Sequence, residues 1–578
     1  MADSFATSRT SKDPLMSQPA LPRLNRQRIL TLALIAIPLG AATAMVWLRR
    51  WISDDGFINI RVIHQLLAGR GPIYNVHERV EVGTSTLWLM LVWLFQAVTS
   101  GTETGQVMVV LGTVLTAVAL ALLAAGAWAL SDGRGVMVPL GLLVVAALPV
   151  VWDFGTSGLE TSLSMAWIAA CFAALAFRLR RLTAGAHPPA WQPWPVACLI
   201  GLGPLVRPDF ALLSLAFGIA LLWQSSRSLR GWLAAAGVAL SVPLAYEVFR
   251  MGFFASLVPN TALAKANGSL AQGWTYVQDF VGTYWLSVPL AIGALAILRR
   301  IWVGGAKGPN ARSLFVVLPL AGLVHAAFVV SVGGDFMHGR FLLPATFLFF
   351  APIALVPFAG LDRLLVVGTA VWALVCGLTL RPVLWNGMIA DERTYYSTFV
   401  ADVPGASVPL ENWSADVGFQ LARQAAADQA DGASYYVQIE HPAEPLPRNA
   451  SGVVVVLNSL GVAGAAAGLD VIVNDPPSLG DPIGSRLVLP ADATFRVGHA
   501  YKPEVWAVAR YSSGDRAQPL AGLAEARTTL ACAPVTELLD AVSAPLTIQL
   551  FVQNLVRAPR LTFLRIPSDP IEAVRTVC

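Results

Sequence analysis

The sequence predicts a polytopic α-helical membrane protein with about eleven spans and a C-terminal mixed α/β domain. Three observations carry that reading. Of 578 residues, 56% are hydrophobic and only 13% are charged, against about 25% charged in ordinary soluble domains. Apolar runs of helix-spanning length recur up to about residue 380, where turns rich in Pro, Asp, Asn and Gly take over. Arginines gather in short loops between the runs, which is a topology signal. The net charge of +4 is small and scattered, so the partner it indicates is the lipid bilayer and not nucleic acid.

Residues 1–28 are expected to form a cytoplasmic tail, its first part rich in Ser, Thr and Pro and disordered. Arg23, Arg26 and Arg28 precede the first span, 29–48, and no small-residue cleavage site follows it. The positive-inside rule then puts the N-terminus in the cytoplasm and Asp54 outside. An outer loop, 49–104, follows. Its apolar stretch 87–98 is short for a span and reads as an interfacial or re-entrant helix. Further spans are expected at 105–129, 136–151, 161–177, 195–206, 209–224, 231–250, 278–298, 313–332, 340–358 and 364–380. In that arrangement the loops with Arg134, Arg178–Arg181, Arg227–Arg230, Arg299–Arg312 and Arg363 all fall on the cytoplasmic side. The membrane domain is thus 29–381 and the extracytoplasmic domain 382–578, with β-like runs at 453–457 and 471–473 and helical patterns at 415–429 and 535–542. Cys171, Cys198 and Cys376 lie in apolar runs. Cys532 and Cys578 lie in the polar region, and if that region faces an oxidising compartment a disulfide between them is the natural pairing.

The same topology collects nearly every unusual polar group at the outer ends of the spans. Asp54 and Asp55 come first, followed in the outer loop by His64 and Glu81. Glu160 closes the stretch 153–160, and Arg207 and Asp209 flank a proline. Arg250, Asn260 and Lys265 follow, then Asp335, His338 and Arg340. Any one acid–base pair at a helix end reads equally as a cap or an interfacial salt bridge, and His325 in mid-span reads as a hydrogen bond within the bundle. Five such loops on one side are harder to obtain from caps alone. Ionisable groups at membrane depth are costly and are usually paired or functional. Carboxylates for proton transfer beside cations for a phosphate suit glycosyl transfer from a lipid-phosphate sugar. A transporter would instead show charges at the midplane and inverted repeats, and no repeat is evident. An anchoring protein would leave the polar loops without a purpose.

A first span ending in an acidic pair before a long outer loop resembles the C-type (GT-C) superfamily of polyprenyl-phosphate-sugar glycosyltransferases. Longer motifs resemble the terminal β-(1→2)-arabinofuranosyltransferases of mycobacteria and relatives: Trp51-Ile-Ser-Asp54-Asp55-Gly-Phe-Ile, Glu78-Arg-Val-Glu81, Thr84-Ser-Thr-Leu-Trp88, Phe154-Gly-Thr-Ser-Gly-Leu-Glu160, Val258-Pro-Asn-Thr-Ala-Leu-Ala-Lys265, Gly333-Gly-Asp-Phe-Met-His-Gly-Arg340 and Asp391-Glu-Arg393. The resemblance implies a decaprenyl-phosphoryl arabinofuranose donor, an arabinan acceptor on arabinogalactan or lipoarabinomannan, and reaction on the outer face of the plasma membrane. A mannosyl or other lipid-phosphate glycosyl transfer is the alternative within the same chemistry.

The catalytic carboxylate that the superfamily places after its first span maps onto Asp54 or Asp55, with Asp54 slightly favoured. The implied donor and product are both β, so the outcome is retention, and the carboxylate is open to a role as base or as nucleophile. Arg250, Lys265, His338 and Arg340 are candidates for the leaving phosphate. Glu160, Arg207, Asp209, Asn260, Asp335, His64 and Glu81 are candidates for sugar or acceptor contacts. No cofactor is implied and no metal is assigned, because two aspartates fall short of the roughly six oxygen ligands a hard divalent ion takes. In the outer domain Trp413, Tyr435, Tyr436, Tyr501 and Trp506 read either as sugar-stacking surfaces or as core. Nothing in the sequence indicates an oligomeric state.

Overall fold

The structure is a computed structural model that describes residues 26–578 except 132–134, 186–192, 226–227, 266–267, 305–308, 401–407, 440, 448–449, 491–492, 494 and 514–519. Most of the expected tail, with Arg134 and Arg227, lies outside the described residues.

Six helices are long and apolar enough to cross a membrane: Arg26–Leu48, Thr104–Ala129, Thr161–Thr183, Leu229–Phe254, Arg312–Ser331 and Leu361–Thr379. A seventh span is added if Leu270–Thr283 and Ser287–Trp302, bent by 88° at their junction, cross as one. The chain is a membrane protein. Several of the other expected spans are present as shorter pieces, and a proline accounts for two of the breaks. The stretch 136–151 is a short strand, Met137–Pro139, and two helices, Gly141–Ala147 and Pro149–Phe154. Leu148, just before Pro149, is extended at φ −74° and ψ 117°, because the proline ring disfavours helical backbone in the residue before it. Arg207 before Pro208 is extended for the same reason, at φ −155° and ψ 139°. It divides Gly203–Val206 from Ala211–Trp223. The region 340–358 is one short helical run, Arg340–Leu342, Leu343–Phe350 and Ala351–Ile353 without a break, followed by a strand, Leu355–Pro357.

The central helix is Thr161–Thr183, most of whose apolar window is buried. It packs along Thr104–Ala129 and seats Trp167 against Phe210 at 5.4 Å. The first span links the two ends of the bundle. Near its start Thr31 Oγ1 accepts the Met137 N–H at 3.0 Å, beside the antiparallel pairing of Met137–Pro139 with Leu355–Pro357. After its last turn, Arg49 donates to Asp153 at 2.5 Å. At about 1.5 Å per residue, this helix is as long as a bilayer core is thick, roughly 30 Å.

The C-terminal region holds a three-stranded parallel sheet, Tyr435–Gln438, Val453–Val456 and Ile472–Asn474, paired in sequence order with Tyr435 opposite Val453 and Val454 opposite Ile472. The helix Leu460–Ala466 crosses between the last two strands. Helices Val417–Ala430 and Ala533–Ser543 fall where the sequence pattern places them. Cys532 and Cys578 are joined in a disulfide. Trp413, Tyr436 and Trp506 are core residues here, and Tyr501 is the exposed one among the aromatics considered for sugars.

The helix after the first span, Asp54–Leu67, is clamped onto this region. Its cap, Ser53, accepts the Gly56 N–H at 3.1 Å. Its neighbour, the crossing helix Leu460–Ala466, approaches so closely that a Cβ on Gly461 would lie 1.6 Å from the Asp54 carbonyl oxygen, and one on Gly464 would lie 1.8 Å from the Tyr74 hydroxyl. Only glycine fits at either position. Arg61 is fully buried without a carboxylate partner. Its guanidinium donates instead to the carbonyls of Tyr74 (2.9 Å), Gly464 (2.5 Å) and Val471 (2.7 Å), which offsets the desolvation of its charge. Arg510 makes a second clamp, pairing with both Glu78 and Asp481.

Candidate active site

A cavity of about 430 Å³ lies where the membrane helices meet the C-terminal region. Its walls come from separate parts of the chain: the face of Asp54–Leu67 that carries Asp55 and Asn59, residues 82–85, Glu160, residues 207–209, Thr261 to Lys265, the end of Arg312–Ser331, and the loop to Phe341. Leu479, Val497 and Gly498 of the C-terminal region close it.

Backbone zippering sets the position of the acidic pair. Trp51 Nε1 donates to the Asp153 carbonyl at 2.5 Å, and the Ser53 N–H donates to the Ser157 carbonyl at 2.9 Å. Asn59 Nδ2 and Trp88 Nε1 both reach the Gly158 carbonyl, at 3.3 and 2.9 Å. The sequence between Trp51 and Trp88 is thereby laid against the loop that ends in Glu160.

Seven of the thirteen expected site residues line this one cavity: Asp55, Glu160, Arg207, Asp209, Lys265, Asp335 and Arg340. Most are tied to each other. Arg207 donates to Glu160 and to Asp209, each at 2.9 Å, and lies over the Phe341 ring at 4.2 Å. Asp209 also meets His325 Nε2 at 3.0 Å, the bundle hydrogen bond the sequence implied for that histidine. Arg340 pairs with Asp335 at 2.9 Å. Among the described residues, no hydrogen bond or ion pair engages the side chain of Asp55 or of Lys265. Those two charges are therefore the ones in the wall open to a ligand. The stem of Lys265 runs past Gly498, whose Cβ position is 3.4 Å from the lysine Cε.

Six expected residues stand elsewhere, each for a visible reason. Asp54 accepts the N–H groups of Val462 at 2.7 Å and Gly461 at 3.2 Å, at the start of Leu460–Ala466. Burial pushes its carboxyl up to about 7 against the pull of those two donors. His64 meets Thr104 Oγ1 at 2.9 Å on the opposite side of its helix, and burial lowers its pKa. Glu81 takes the guanidinium of Arg250 at 2.7 Å and the Tyr246 hydroxyl at 2.6 Å. Arg250 is further engaged by Glu247 at 2.6 Å, so neither it nor Glu81 faces the cavity. Asn260 is a staple: its amide donates to the Leu479 carbonyl at 2.8 Å and its oxygen accepts from Ser485 at 2.7 Å. His338 turns away, with Nδ1 on Asp279 at 2.5 Å and its ring 5.3 Å from that of Tyr284.

The sequence reading did not find the contribution of 497–498 and Leu479, which lie far along the chain from the other wall residues, the last of which is Phe341, and carry no polar signature. The one local hint is Gly498, at φ +80°, a conformation glycine adopts at no steric cost. Among the described residues, no group of three or more His, Cys, Asp or Glu comes together as a metal site.

The fold and site define a polytopic membrane protein with a charge-lined cavity between its helices and a folded polar region. Residues 414–573 match the AftB family C-terminal domain. The chain is 31% identical over 617 residues to a Mycobacterium tuberculosis protein named terminal β-(1→2)-arabinofuranosyltransferase, across 91% of this chain and 93% of that one. It is 34% identical over 417 residues to a protein of the same name from Corynebacterium glutamicum, a match covering 63% of this chain and 59% of the relative. No solved structure matches the chain. The chain belongs to the terminal β-(1→2)-arabinofuranosyltransferase family.

Proposed function

We propose that this chain is a polyprenyl-phosphate-dependent arabinofuranosyltransferase of the GT-C type. It moves D-arabinofuranose from decaprenyl-phosphoryl arabinofuranose to the arabinan termini of arabinogalactan or lipoarabinomannan, forming β-(1→2) linkages. The observation that carries this reading is the presence of an unengaged carboxylate, Asp55, and an unengaged ammonium, Lys265, in the wall of one cavity at the end of the membrane helices. Asp55 is the catalytic carboxylate and Asp54 is structural. Lys265 takes the departing phosphate, whose charge grows as the glycosidic bond breaks. Arg340 and Arg207, each already neutralised by a carboxylate, hold the cavity's shape and present their remaining N–H groups to sugar hydroxyls or phosphate oxygens. Retention at the anomeric carbon is served by Asp55 as nucleophile or by a front-face displacement.

The domain reading follows the same line: a cytoplasmic tail at 1–28, a membrane catalytic domain at 29–381 and a periplasmic domain at 382–578. An outward-facing site is supported by the disulfide and by the arginines grouped near the other end of the bundle. There Arg300 pairs with Asp362 at 3.2 Å and Arg178 reaches Ser225 at 3.5 Å.

The test uses purified full-length protein with decaprenyl-phosphoryl arabinofuranose and a synthetic arabinan oligosaccharide. Transfer by the parent, with new β-(1→2) linkages in the product, is expected. Transfer of mannose from its own lipid phosphate, with none of arabinose, would replace the arabinose reading by a mannosyl one.

A further inference from the structure

The helix Ile548–Phe563 of the C-terminal region carries an apolar stripe that none of the described residues covers. Ile548, Val552, Val556 and Phe563 are 87%, 53%, 79% and 69% exposed. At 100° per residue these four positions fall within a sector of about 80°. The opposite face is buried: Asn554, Ala558, Leu561 and Thr562 turn inward. Monomeric water-facing surfaces seldom keep so continuous an apolar face.

What covers the stripe is indicated by where the helix sits. It packs across the carboxyl end of the membrane helix Leu229–Phe254. Asn554 Nδ2 donates to the Gly252 carbonyl at 3.1 Å, the ring of Phe551 lies against Gly252, and Thr562 Oγ1 accepts the Leu257 N–H at 2.8 Å. Leu229–Phe254 has only 6% of its apolar window buried, with Leu233, Leu240, Leu244 and Val248 all exposed. That is a lipid-facing surface. The stripe on Ile548–Phe563 continues it where the span ends, and Leu546, also exposed, lies just before the same helix in the chain. Arg565 is exposed close by, a long cation suited to lipid phosphates at the edge of an apolar face; Arg560, also exposed, is paired with Glu537.

We propose that Ile548–Phe563 is an interfacial anchor, lying in the bilayer surface with Ile548, Val552, Val556 and Phe563 among the acyl chains and Arg565 at the headgroups. The anchor fixes the height of the C-terminal region over the cavity. Its connection to the site is direct: Thr562 holds Leu257, and the chain from there leads through Asn260 to Lys265 in the cavity wall. The partner is the lipid surface, and the inference stands whichever sugar the enzyme transfers.

The experiment places a fluorescent nitrobenzoxadiazole label at Val556→Cys in the full chain, with Cys198→Ala as background, in nanodiscs of phosphatidylcholine and phosphatidylglycerol. The control label is at Gln424→Cys, exposed on Val417–Ala430. The label at 556 is expected to emit in the blue and to be quenched by nitroxide-bearing lipids about threefold more strongly than the label at 424, as an apolar face seated in the interface requires. Water-like emission at 556 overturns the proposal. Blue emission without lipid quenching also overturns it, because the stripe is then covered by another protein surface or a second copy. A repeat with the label at Phe563→Cys guards against a local distortion at 556 and carries the same two outcomes.

Discussion

Asp54 and Asp55 are neighbours on one helix whose carboxylates serve different places: that of Asp54 accepts the Val462 N–H at 2.7 Å, and that of Asp55 lines the cavity. Successive residues on an α-helix point about 100° apart. Once the helix is clamped against Gly461 and Gly464, only one of the pair can face the substrate. Asp55→Asn is therefore expected to lower transfer at least about a hundredfold, and Asp54→Asn to leave it within about tenfold with some loss of stability. Arabinan transfer assays on both variants, with folding followed by thermal melting, check this. Equal losses in the two would remove the assignment.

Asp54 also gives a pH dependence. Its folded pKa is raised to about 7 from an ordinary carboxylate value, so the folded protein binds this proton more tightly than the unfolded chain does. Stability from this group falls as pH rises from about 4 to about 7 and is level above that. Asp54→Asn should flatten this portion of a melting temperature against pH profile. An unchanged slope would place the titration elsewhere.

Among the described residues, Lys265 is the cation of the wall that no hydrogen bond or ion pair engages. Lys265→Met is expected to reduce kcat/KM for the lipid donor by about a hundredfold, with melting temperature little changed because the ammonium has no protein partner to abandon. Lys265→Arg should recover part of the loss by restoring the charge. A Met variant with parental kinetics would assign the phosphate to Arg340 or Arg207.

Arg207 joins Glu160 and Asp209 in a buried triad. Arg207→Leu leaves Glu160 without its cation and Asp209 with only His325, and should cost roughly 3 kcal/mol, read as a large drop in the detergent melting temperature. Replacing Arg207, Glu160 and Asp209 together by apolar residues of similar size should recover much of that stability while transfer stays lost.

The Cys532–Cys578 bond closes a loop with a sequence separation of 46 and ties the last helix, Pro570–Val577, to Ala533–Ser543. By loop entropy, reduction should lower stability by up to about 4 kcal/mol. Melting with and without reductant measures it, and no shift would mean that packing alone holds the terminal helix.

Much of this was legible in the sequence, and for physical reasons. Apolar length shows spans, and the gathering of Asp55, Glu160, Arg207, Lys265 and Arg340 followed from their placement at span ends. Two things were not legible. Proline can break an apolar run without changing its hydropathy, so 136–151 reads as a span although Leu148 and Pro149 divide it. Direction within a polar loop is also invisible in one dimension. His338, Arg250 and Glu81 lie beside the site in sequence pattern, yet each turns to a partner of its own in Asp279, Glu247 or Tyr246. Nothing local distinguishes a carboxylate that waits for substrate from one that is already satisfied.

Arg61 sets an order of events in the making of the protein. It lies only thirteen residues beyond the end of the first span at Leu48, yet two of the three carbonyls that hold its guanidinium within 3 Å belong to Gly464 and Val471. While the ribosome is still adding the membrane helices, those acceptors do not exist, and the helix carrying Asp55 has nothing to close on. The reaction chamber can be completed only when nearly the whole polypeptide has been translated. A shortened product lacking the last third would reach the bilayer as an inserted but chemically silent protein.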